Sequence, residues 1–155
     1  MPIVLDAASP EEIPALVEQI VRQVVAQFGE LQYRQPLREE VVPLLVAEHE
    51  EYFNREAGPL GNWQPLSPVT VKKKGFDTIL IETNRMRSSL LFDGPDHIED
   101  VEDRFLTWGT SDPKAHIHQE GTARIPQRAF VGVSEETADA IADKIADHVV
   151  KLLKG

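Results

Sequence analysis

The stretch Pro59-Leu-Gly-Asn-Trp-Gln-Pro-Leu-Ser-Pro-Val-Thr70, followed by Lys72, Lys73 and Lys74, constrains this chain more than any other. Three prolines and, with Gly58, two glycines surround one tryptophan. Proline removes the amide donor that both helix and sheet interior need, so neither a helix nor a central strand is expected here. Leu60, Trp63 and Leu66 are too apolar for a solvated linker. The segment therefore reads as an ordered loop pinned to the body through Trp63, with its shape fixed by proline and little entropy left to lose. It carries no reacting group, so the function expected of it is contact.

The remaining chain divides into helical and extended pieces. Ser9-Pro10-Glu11-Glu12 is a helix start, with a serine cap, a first-turn proline and a glutamate three residues on. Ile13, Leu16, Val17, Ile20, Val24 and Phe28 follow at helical spacing, and Gly29 is expected to end the run. A second helical pattern covers about 37–56, with Val41, Leu44, Leu45, Tyr52 and Phe53 on its apolar side and Pro43 expected to kink it or delay its start. Ile79 and Ile81 alternate with Leu80 and Glu82, which predicts a strand over 77–83. A short helix over 84–91, capped by Thr83 or Asn84, precedes a turn at 93–96. His97 to Thr110 reads as two strands, the second over 104–108, and Ala115 to Gln119 as a turn or short helix. Phe130 and Val131 are expected in the core. A last helix opens at Ser134, carries Ala138, Ile141, Ile145 and Val149 on one face, and ends in a lysine-rich turn that suits its dipole. Helices at both ends flanking a small antiparallel sheet predict an α+β fold in a single domain over 1–155.

Composition removes several classes of function. Cysteine is absent, so no disulfide and no thiolate site exists. No run approaches the ~18 apolar residues of a membrane span, and a soluble protein without membrane contact is expected. The net charge of -10 argues against dedicated nucleic-acid binding. The charge is uneven, however: from Lys72 to Arg87 five basic residues outnumber two acidic ones. An acidic body with a basic middle fits pairing with acidic protein surfaces, including those of its own neighbours.

His116-Ile117-His118, with Gln119 and Glu120, is the one cluster that resembles a chemical site. On a strand the two imidazoles would share a face, and Asp112 or Glu120 would complete a metal set for hydrolysis. The competing expectation is that one histidine packs while the other faces solvent. No serine lies in a nucleophile elbow, and the glycines form no phosphate-binding fingerprint. Arg124 and Arg128 are candidates for bidentate pairing with carboxylates, of a partner or of the chain itself.

Taken in order, the pieces resemble a known family. They are Phe53 leading to Pro59-x-Gly61-x-Trp63-x-Pro65-Leu66-Ser67-Pro68-x-Thr70; Ile79-Leu80-x-x-Thr83-Asn84-x-Met86-x-x-Ser89-Leu90; Gly109-Thr110; Ala115-His116-Ile117-His118-Gln119-x-Gly121; and Pro126-x-Arg128-x-Phe130-x-Gly132. The set is similar to the bacteriophage virion-morphogenesis family, the tail-completion proteins of contractile-tailed phages such as Mu and P2. It covers roughly 50–150 and leaves 1–35 outside its strongest part. Asn84 stands where the family usually has glycine, and Lys114 where an aromatic commonly stands. The resemblance implies a structural virion protein, assembled in the host cytoplasm, with no enzyme activity and no cofactor. It also implies multi-copy rings and contacts with tail-tube and head–tail connector proteins. Trp63, Pro65, Lys72, Lys73, His116, His118, Gln119, Arg124 and Arg128 are then the candidate order-setting or partner-facing residues. A metal-dependent hydrolase using His116 and His118 is the alternative, and a host-directed regulator carried by a phage is a third.

Overall fold

The computed structural model describes residues 13–155, so the helix start expected at Ser9 to Glu12 lies outside the described residues. The element order is α1 (Ile13–Glu30), α2 (Arg34–Pro36), a π turn (Leu37–Val41), α3 (Val42–Arg55), β1 (Ala57–Gly58), β2 (Gly61–Asn62), α4 (Pro68–Lys74), α5 (Arg85–Leu91), β3 (His97–Val101), β4 (Leu106–Thr110), α6 (Ala115–Glu120) and α7 (Glu135–Lys154). The fold is α+β, with helices at both ends and two small antiparallel sheets of two strands each.

Pro43 delays the second helix, whose regular part begins at Val42 and not near 37. It sits in the first turn of α3, where its missing amide costs no bond, and the π turn just before it takes up the irregularity. Glu56 then adopts a left-handed backbone (φ 51°) and ends α3. Its carbonyl accepts the Trp63 amide at 2.8 Å, and its Oε1 accepts the Ile79 amide at 2.7 Å. One residue thus ties down the two loops that follow.

The core gathers around that tie. Tyr52 and Phe53 of α3, Trp63, Ile79, Met86, Leu90 and Leu91 of α5, and Phe130 form one buried cluster. Phe130 and Leu90 have no exposed surface. Phe53 meets Trp63 edge-on, with ring centroids 5.5 Å apart. The β3–β4 ladder runs from His97 opposite Thr110 to Val101 opposite Leu106 and packs on α5. Its second strand lies two residues later than 104–108, because the strand continues through Gly109 and Thr110 instead of breaking there.

No strand forms over 77–83. Leu80 has a left-handed backbone (φ 58°), and the Ile79 amide bonds a side chain, so the segment has no ladder to join. Leu80 and Ile81 both pack against the core beside buried Ile79, so the apparent alternation marks an irregular loop covering a hydrophobic surface. The loop expected over 59–70 ends at Ser67. Ser67 accepts the Thr70 amide on its side chain and Pro68 follows at the first helical position, which starts α4. Of the two expected caps, Asn84 is the one at the N-terminus of α5, acting through its left-handed backbone (φ 60°) without a side-chain cap bond. At the C-terminal end, Ser134 caps α7 as expected. α1 runs one residue past Gly29. Its Leu16, Ile20 and Val24 are half-buried, while Val17, Val21 and Val25 stay exposed.

Candidate interaction cleft

Trp63 is buried (5% exposed) and its Nε1 donates to the Ala129 carbonyl at 2.8 Å. The loop is therefore pinned to its own core, as the sequence suggested. Gly58 makes this approach possible, since a Cβ there would lie 1.8 Å from the same Ala129 oxygen.

Gln119 locks the other side. Its Oε1 accepts the amides of Phe130 and Val131, each at 3.0 Å, and its Nε2 donates to the Val131 carbonyl at 2.8 Å. One amide side chain thus supplies the pairing that an adjacent strand would give to this extended segment. Gly121 allows the return turn: its φ is +76°, and a Cβ would come within 2.8 Å of the Gln127 amide. Arg128 is buried and bonds no carboxylate among the described residues. Its Nε donates to the Gln64 carbonyl (2.7 Å) and its guanidinium to the Pro65 carbonyl (3.2 Å), while its amide bonds the His118 carbonyl. Through its guanidinium and its backbone amide together, Arg128 ties the loop after Trp63 to α6. Three segments well separated in sequence thus become one framework.

Between them lies an open cleft of about 990 Å³. Its walls are the 64–67 segment with α4, the 80–86 segment, the 112–118 segment, and 124–128. Lys74, Arg85, Lys114, Arg124 and Arg128 line it, against only Glu82 and Asp112. The acids are engaged. Asp112 accepts the Lys114 amide and lies 3.6 Å from Arg85, and Glu82 lies 3.6 Å from Lys114 across the cleft. Lys74 instead donates to the Thr78 carbonyl at 2.6 Å and lies over the Phe76 ring, and Arg124 has no carboxylate partner among the described residues. The cleft is thus a basic recess in an acidic protein. Its size is that of sites that accept small ligands or short chain segments.

His118 lines this recess, with its Nδ1 buried and unpartnered. Burial, then the nearby Arg128 and Lys114 charges, hold its pKa below the usual histidine value, which favours the neutral ring. His116 is exposed and points elsewhere, because 115–120 is a helix and residues two apart on a helix face away from each other. The shared face expected of a strand does not exist. Among the described residues, no three metal-capable side chains converge. Lys72 and Lys73 are exposed on α4. Of the candidates read from sequence, Pro65, His118, Arg124 and Arg128 meet at the cleft, while Trp63 and Gln119 build the framework behind it. Arg85 and Glu82 are not among those candidates, and Asp112 is expected only as a metal ligand; nothing in their spacing signals that a loop and a helix N-terminus would bring them together.

The model of the phage virion morphogenesis family matches residues 15–150, so this chain belongs to that family. The match takes in α1, beyond the 50–150 span that carried the resemblance by motif. No curated protein and no solved structure matches the chain. Among the described residues, no helix is long and apolar enough to cross a membrane.

Proposed function

We propose that this protein is a non-catalytic structural component that completes the phage tail and joins it to the head. Membership of the virion morphogenesis family carries the reading. The framework supports it: Trp63, Gln119 and Arg128 all serve to hold a rigid recess, which docks a partner with little ordering cost. The basic lining of the recess suits an acidic protein segment. Its partners on this reading are tail-tube and head–tail connector proteins, met by several copies arranged as a ring in the virion.

Deletion of the gene from a producing phage tests this directly. Electron microscopy of the lysate is expected to show filled heads and tails that fail to join, or tails with aberrant ends, and expression of the chain in trans restores plaques. Normal yields of infectious particles from the deletion would overturn it.

A further inference from the structure

The β3–β4 hairpin presents a surface opposite in character to the cleft. Glu99, Asp100, Glu102 and Asp103 crowd its end against a single basic residue, Arg104. Glu102 and Phe105 close the turn through a backbone bond of 2.9 Å. Phe105 stands 57% exposed on the turn. Asp103 is held by Arg34 at 3.2 Å and Glu99 lies near His97, but Asp100 and Glu102 have no cationic partner among the described residues. The element is therefore an acidic tip with one unburied aromatic ring.

That tip cannot reach its own cleft. The opposite end of the hairpin, where His97 pairs with Thr110, adjoins the cleft through Asp96, Ser111 and Asp112. From His97 to Val101 the strand advances about 14 Å away from it. The recess and the tip thus lie at different ends of one rigid element.

We propose that the acidic hairpin tip of one copy docks into the basic cleft of the next copy. Asp100 and Glu102 meet Lys114, Arg124 and Lys74, and Phe105 enters toward the apolar lining at Leu66 and Ile125. Because donor and acceptor surfaces differ, the contact is head-to-tail, and it closes as a ring when the rotation between copies allows. This names a partner surface within the assembly role proposed above.

Sedimentation velocity on the full purified chain provides the test. The wild type is expected to form a multi-copy species at low salt that dissociates as salt rises, since exposed charge pairs are screened. Lys114→Glu with Arg124→Glu is expected to run at the 17.4 kDa of one chain, and so is Asp100→Lys with Glu102→Lys. Mixing the two double variants restores assembly, because each reversed surface then meets its complement. Val21→Ser on α1 serves as a control that leaves assembly intact. The docking is overturned by a wild type that stays monomeric at high concentration and low salt. It is also overturned if hairpin reversal leaves the assembly unchanged, or if Val21→Ser dissociates it, which would make the α1 valines the interface. A monomeric wild type would overturn the docking alone, since the tail-joining role is decided by the deletion phenotype.

Discussion

Gln119→Ala removes three hydrogen bonds at once without opening a large cavity, which makes it the sharpest test of the framework behind the cleft. The side chain pairs with the amides of Phe130 and Val131 and with the Val131 carbonyl. A typical intramolecular hydrogen bond contributes about 1 kcal/mol net. Three give about 3 kcal/mol; the Val131 groups can be rewetted, whereas the amide of fully buried Phe130 is the one that water reaches least. In a domain of this size that corresponds to a drop of roughly 6–12 °C in Tm. Gln119→Glu retains an acceptor for both amides but points a carboxylate oxygen at the Val131 carbonyl, so it should lose about 1–2 kcal/mol. The assay is urea unfolding followed by tryptophan fluorescence, with a shifted midpoint at unchanged slope marking a true stability change. Alanine within about 0.5 kcal/mol of wild type, the range of an ordinary surface change, would refute the view that Gln119 organises this segment.

Trp63→Ala should cost about 3–5 kcal/mol by the same titration, as large aromatic truncations in cores do, whereas a loss below about 1 kcal/mol would place the ring outside the core. His49 gives a pH dependence. It is buried, its Nδ1–H donates to the Leu45 carbonyl at 2.6 Å, and its Nε2 accepts the Gly132 amide at 3.2 Å, so only the neutral ring satisfies both partners. Burial lowers its pKa despite the opposing pull of the Leu45 carbonyl and Glu48. The unfolded state therefore binds more protons, and stability should fall as pH drops below about 6.5, before most carboxylates titrate. His118 adds to the same trend, and His49→Gln should flatten much of it; a wild-type urea midpoint that stays constant between about pH 7 and about pH 5 would contradict the assignment.

Much of the helical architecture was legible in the sequence because its signals are local. Ser134 followed by Glu135 and Glu136 caps α7 through bonds within one turn, whatever the rest of the chain does. Trp63 was legible as a core residue because a large apolar ring among prolines has few other places to go. Ser67-Pro68 carries the same kind of cap, but its proline-rich context points to a loop where α4 starts. The strand expected over 77–83 failed for a different reason: alternation reports burial, and here an irregular loop is buried on more than one side without any ladder to join.

The sequence by itself determined the α+β class, the Ser134 cap of α7, the acidic character and the ordered motifs of the family. Only the tertiary structure decided what those motifs do. Whether Arg128 would face a partner's carboxylate or its own backbone depends on Gln64 and Pro65, more than sixty residues away, arriving at its guanidinium. Whether His116 and His118 would converge depended on the choice between strand and helix at 115–120, which their spacing alone does not make. The Pro59 to Thr70 segment is expected from sequence to make contacts, and those seen in the structure are internal. They hold Trp63 and the carbonyls of Gln64 and Pro65 in place, and so shape one wall of the cleft.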